Sequence, residues 1–219
     1  MNKPIYSLLI CGILLVIGNT GFSQTFFNLK VATSIASQSN STGSFRVGYD
    51  VGVSYEQQFT KVLWVELGLD YIQKGVHIGT FQNVTQFSRR LEYLEVPLLV
   101  KYRYLVNQNF AWSLYAGPSI GFAANASSRF FRIAQPVVQP LPIDSDGGVN
   151  PLDLGINLGA ELNFGAEYGY IGVFAAFQQS VTTVLNINGT SLRNYGFTTG
   201  LKFQFGKPIE MEVNDWDTY

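Results

Sequence analysis

The feature that most constrains this chain is a period-two alternation of apolar and small polar residues, repeated almost from end to end. Between Phe45 and Phe59, Val47, Tyr49, Val51, Val53 and Tyr55 share one face, and Gly48, Asp50, Gly52, Ser54 and Glu56 share the other. A helix would scatter those apolar residues around its axis, so the pattern specifies a strand. It returns at Leu63–Tyr71, Leu94–Tyr104, Trp112–Phe122, Leu152–Phe164 and Tyr195–Phe205, and less cleanly at Phe27–Ile35 and Tyr168–Val181. Several of these runs exceed the roughly five or six residues of an ordinary globular strand and reach the ~10 that a tilted strand needs to cross a bilayer.

The connections sort themselves. Tight turns are expected near Thr60–Lys61, Asn107–Asn109 and Gly165–Glu167, and longer connections at 36–44, 77–88, 126–150 and 182–193. Short and long alternate, as in outer-membrane barrels with short periplasmic turns and longer external loops. The expected fold is all-β: an eight-stranded antiparallel up-and-down transmembrane β-barrel.

Composition decides which face is which. Only 13% of residues are charged, against about 25% in a typical soluble domain. The polar faces carry Gly, Ser and Asn rather than the Lys and Glu of a water-facing wall, so they suit a crowded interior. The apolar faces end in Tyr71, Tyr102, Tyr104, Trp112, Phe164, Phe203 and Phe205, as an aromatic girdle would. The competing arrangement is a secreted barrel of lipocalin type, with the apolar faces inward. A formal net charge of −1 offers no basic surface for nucleic acid.

The N-terminus reads as a secretory signal over residues 1–23, with Lys3, an apolar run from Leu8 to Ile17, and small Gly21 and Ser23 before the expected cleavage. Residues 24–206 form the barrel, and 207–219 a polar periplasmic tail with Glu210, Glu212, Asp215 and Asp217. The tail is read as disordered, or as a docking peptide for a periplasmic partner. The only cysteine, Cys11, lies in the signal, so the mature chain lacks thiol chemistry.

Charges on the polar faces are expected to meet in the lumen: Glu56, Glu66, Asp70, Glu95 and Glu161 against Lys101, Arg103 and Lys202. They form either a structural salt-bridge network, since buried charges need partners, or a gated ion or ligand pathway. Charge swaps at Glu95 and Lys101 discriminate, by whether they alter stability or conductance. The segment 126–150 is the candidate external recognition loop. Its Arg129, Phe130, Phe131 and Arg132 offer charge and aromatics to a protein, a polysaccharide or lipopolysaccharide phosphates. Asp144 and Asp146 fall short of a calcium loop.

The expectation is no enzyme, no cofactor and no metal. His77 is the only histidine, and its neighbours Thr80, Ser88 and Glu92 show no spacing that picks out a catalytic partner. Glu92 and Glu95 lie on opposite strand faces.

Tyr93-Leu94-Glu95-Val96-Pro97-Leu98-Leu99-Val100-Lys101-Tyr102 resembles the central motif of the PorT-type outer-membrane β-barrel family of Bacteroidetes. Tyr115–Phe122, Gly68–Gly75, Asp153-Leu154-Gly155 and Gly159-Ala160-Glu161 are similar to neighbouring strands of that family. The resemblance implies an outer-membrane location and eight strands, and transfers no functional residue. Two roles stay open. One is a structural or interaction barrel, as a subunit of an envelope or secretion complex. The other is a transport or ligand-binding barrel using the lumen or the 126–150 loop.

Overall fold

The computed structural model describes residues 24–41, 43–78, 87–132, 135–144, 148–187 and 189–207. The expected signal segment 1–23, and the expected tail apart from Lys207, lie outside these residues. The strands are β1 Thr25–Gln38, β2 Ser44–Gln58, β3 Leu63–Ile78, β4 Phe87–Asn107, β5 Phe110–Arg132, β6 Gln135–Pro140, β7 Leu152–Ala166, β8 Gly169–Ser180, β9 Leu185–Ile187, β10 Thr190–Leu192 and β11 Asn194–Phe205. Each long strand pairs antiparallel with its neighbours, β1 pairs with β11, and β4 pairs with β5. The ring β1-β2-β3-β4-β5-β7-β8-β11 is therefore an eight-stranded closed barrel with no free edge within it.

Turns at one end are tight because side chains complete them. Thr60 Oγ1 accepts from the Leu63 N–H at 3.0 Å, and Asn107 Oδ1 accepts from the Asn109 N–H at 2.9 Å. Gly169 opens β8 at φ 143°, and a Cβ there would collide with the Gln204 carbonyl. Gly169→Ala is expected to cost about 1–3 kcal/mol of stability, read as a lower urea midpoint in micelles.

The outward face is apolar. Along β4 it runs Val106, Tyr104, Tyr102, Val100, Leu98, Val96 and Leu94 before turning polar at Glu92 and Arg90. That is about 40 Å of strand, or roughly 28 Å of height at a 45° tilt, which matches a hydrocarbon core with its interfaces. Exposed Val31, Leu114 and Leu158, the last 61% exposed, continue the belt around the ring.

Two expected loops contain strand. Residues 126–150 do not form one loop: β5 continues to Arg132 and returns as β6, which pairs with its residues Ser127–Arg132. This stretch of β5 also pairs with β4, from Phe87 opposite Phe130 to Glu92 opposite Asn125, so β3 to β6 rise as a wall above the ring. Pairing with β4 on one side and β6 on the other, rather than any apolar alternation, makes this stretch strand. In β6, Leu141 donates its N–H to Ala126 at 2.9 Å, so N–H groups of odd-numbered residues face β5. The free edge then belongs to Pro136, Val138 and Pro140, and the prolines have no donor to offer. Residues 182–193 likewise contain the β9–β10 hairpin.

Candidate functional site: a filled lumen

The barrel interior is occupied in layers. At the turn end, Phe26, Trp64 and Tyr170 form an aromatic plate. Phe26 and Trp64 stack at 5.6 Å, and Tyr170 meets Phe26 edge-on at 5.7 Å. The Arg103 guanidinium lies 4.7 Å from the centre of the Trp64 ring. All are buried. Inward parity places them: Phe26, Trp64 and Arg103 alternate with the lipid-facing Phe27, Leu63 and Tyr102.

Above the plate lies the densest charge layer. Lys101 Nζ is 2.9 Å from Glu56, 2.5 Å from Glu66 and 3.3 Å from Glu161. Lys202 Nζ is 3.1 Å from Glu66 and 2.9 Å from Glu161. Arg103 Nη2 is 2.7 Å from Glu56. Glu56, Glu66 and Glu161 thus meet Lys101, Arg103 and Lys202, and the charges cancel within the layer. Neutral donors fill remaining lone pairs: Ser54 donates to Glu66 at 2.5 Å and Gln204 to Glu161 at 2.5 Å. The Tyr115 ring lies 5.6 Å from Lys101 Nζ and 5.8 Å from Lys202 Nζ. Gly159 makes room for that ring, because a Cβ would overlap it.

The next layers are built the same way. Lys30 bridges Asp50 at 2.9 Å and Asp70 at 2.6 Å. Lys74 bridges Glu95 at 2.8 Å and Asp153 at 3.4 Å. Between them lies a cavity of about 50 Å3 lined by Lys30, Asp50, Asp70, Asn157 and Gln178. Asp50 Oδ1 and Asn157 Nδ2 have no hydrogen-bond partner among the described residues. On this measure one water needs about 10–15 Å3, so the cavity suits a few waters and is far smaller than a ligand pocket of roughly 300 Å3 or more.

The loop end is closed by an apolar lid. Inward-facing Ile72, Leu91, Tyr93 and Ala126 pack with Val149, Val184, Leu185 and Leu192 from the long connections. Backbone bonds fasten the lid: Asn150 donates to Val184 O at 2.9 Å, Val184 to Leu192 O at 2.8 Å, and Ser39 to Arg193 O at 2.9 Å.

The structure therefore places Glu56, Glu66, Asp70, Glu95, Lys101, Arg103, Glu161 and Lys202 in the lumen, but not as one cluster. Glu95 does not meet Lys101. It pairs with Lys74, a layer higher. Sequence reading passed over Lys30, Asp50, Lys74 and Asp153 as network members. Strand parity could have found Lys74, which continues the Glu66, Asp70 face of β3, had the strand been extended past Tyr71. Arg129 stands exposed on the wall; the side chains of Phe130, Phe131 and Arg132 lie outside the described residues. Asp144 is exposed beside the lid and Asp146 is outside the described residues. His77 sits opposite Ser88, while Glu92 binds other groups and Thr80 lies outside the described residues. Among the described residues no group of His, Cys, Asp or Glu is arranged to hold a metal.

A closed eight-stranded barrel with a polar filled interior and an apolar exterior is the architecture of a small outer-membrane protein. The family described as "Outer membrane protein beta-barrel domain" matches residues 14–186, and the chain belongs to that family. Its location is the outer membrane. No curated protein matches the chain. Among solved structures it is similar to Neisserial surface protein A, at 11% identity and TM-score 0.44, covering 84% of this chain and 99% of that one. It is also similar to Ail, the attachment invasion locus protein of Yersinia pestis, at 12% identity and TM-score 0.38, covering 83% and 99%. The N-terminal barrel of Pseudomonas aeruginosa OprF gives 12% identity and TM-score 0.36, covering 83% and 100%. The fold assignment rests on the chain's own strand ladder and its family.

Proposed function

We propose that this protein is a sealed, non-enzymatic barrel with a structural or interaction role in the envelope, which presents the β3–β6 wall to a protein partner outside the cell. The observation that carries this reading is the lumen, which is filled by an aromatic plate below, paired charges between and an apolar lid above. That arrangement favours an interaction role over transport. The polar tail offers a second, periplasmic contact, beyond a cleaved signal at residues 1–23. Membership in the PorT-type branch is part of the proposal, supported by Tyr93–Tyr102. There Pro97 faces the lumen beside Gly68, where a Cβ at Gly68 would crowd its ring.

The test is photo-crosslinking in intact cells from Val138, 55% exposed on the wall, against Leu158, 61% exposed on the lipid belt. The expected result is a discrete protein adduct from position 138 and none from 158. No adduct at 138, together with ion flux through reconstituted barrel, would favour the transport reading.

A further inference from the structure

The charge layers of the lumen differ in balance. In the lower one Glu56, Glu66 and Glu161 meet Lys101, Arg103 and Lys202, three against three. Above it, Lys30 holds Asp50 and Asp70, and Lys74 holds Glu95 and Asp153, so four carboxylates meet two cations. All four carboxylates are buried. The next inward arginines stand farther along their strands. Arg46 lies opposite Ala36, four residues from Asp50, and Arg89 lies opposite Val76 and donates to Gln38 at 2.7 Å. Contact pairing therefore leaves a negative surplus in the upper layers, where unpaired charge is costly.

The cavity of about 50 Å3 lies at this level, and Asp50, Asn157 and Gln178 line it. β2 and β7 stand opposite one another in the ring, so Asp50 and Asn157 face each other across it. Asp50 gives Oδ2 to Lys30, while its Oδ1 is buried without a hydrogen-bond partner among the described residues. Asn157 is 9% exposed, and its Nδ2 is likewise without a partner among them. No bond to that nitrogen stops the amide from turning its oxygen into the cavity. Gln178 gives Nε2 to Glu95 and Ser119, which leaves its Oε1 to accept. One carboxylate oxygen and two amide oxygens thus border a space with negative charge to spare. Calcium or magnesium would require about six oxygens or more, with carboxylates among them, and Asp70, Glu95 and Asp153 already hold lysines. A singly charged ion completed by a few waters fits both the donors and the volume.

We propose that this cavity binds one alkali cation, held by Asp50 Oδ1 with the amide oxygens of Asn157 and Gln178. The ion offsets part of the surplus and ties β2 to β7 across the lumen. It is a resident ion, flanked by plate and lid, and is loaded as the barrel folds.

The test refolds the full chain into zwitterionic micelles and titrates it with urea, in sodium chloride or N-methylglucamine chloride at equal ionic strength. Sodium is expected to raise the urea midpoint and N-methylglucamine to leave it unmoved. Above its Kd, sodium should raise the folding equilibrium constant about 10-fold for each 10-fold rise in concentration. Asp50→Asn keeps the shape and leaves Lys30 its bond to Asp70, and it should abolish the sodium dependence. Asn157→Ala leaves every charge in place and should weaken that dependence, which keeps the test valid if Asp50→Asn does not fold. Heat-shifted gel migration identifies the folded variants. Equal midpoints in the two salts would overturn the proposal, as would a sodium dependence that both variants retain. A midpoint indifferent to the cation but rising as pH falls from neutral would also overturn it, assigning the surplus to bound protons.

Discussion

Lys101→Met is expected to destabilise the barrel by about 3–5 kcal/mol, the usual cost of stranding buried charge. Lys101 is fully buried and touches Glu56, Glu66 and Glu161. Methionine fills much of the volume but leaves three carboxylates facing Arg103 and Lys202 alone. The layer, neutral in the wild type, gains a net negative charge among side chains that are almost wholly buried. A urea titration in micelles, followed by the fluorescence of buried Trp64, reads the loss directly. The double variant K101M/E66Q removes one charge of each sign and should recover a good part of it. Non-additivity of that kind is the signature of one coupled network. Simple addition of the two single effects would mean that Lys101 and Glu66 act independently.

Leu185→Asp is the second large effect, and it is local. Leu185 is 7% exposed within the apolar lid, among Val149, Val184, Leu192 and Tyr93. An aspartate there has no cation within the lid, so burial of its charge costs several kcal/mol. The lid can avoid that cost by opening, because its attachments are a few backbone bonds and short strands. Residues 181–193 should become cleavable by protease added outside cells, while the β8–β11 ladder below them, from Tyr195 opposite Gln179 to Phe205 opposite Gly169, stays intact. Heat-shifted migration of the uncut barrel would remain. A variant as resistant as wild type would mean that the lid is not held by its apolar contacts.

The parts of this molecule that were legible in the sequence are those governed by period two. Inward and outward parity of β2, β3, β4 and β7 followed from alternation alone, because one strand face meets lipid and cannot tolerate a charge. The tight turns at Thr60 and Asn107 were legible for a similar reason, since side chains that close turns are few. The wall was not legible, because polar residues above a membrane belt look like loop residues whether or not they pair. Ser127, Ser128 and Arg129 carry no apolar face, and only their partners in β4 and β6 make them strand. The layering of the lumen was hidden too. Glu95 and Lys101 share a face of one strand, but they sit six residues apart along it and meet different partners, Lys74 on the neighbouring β3 for one and Glu56 on β2 for the other. The lid joins residues as far apart in sequence as Ile72 and Leu192. No local pattern announces such contacts.

The most direct test of a sealed barrel is electrical: recording from the purified protein in a planar bilayer, under a steady potential, at high salt. The layered lumen predicts a flat baseline, without discrete steps, for as long as the membrane holds. Reproducible conductance steps from wild-type protein would contradict it, since the aromatic plate, the paired charges and the lid would then have to part on that timescale.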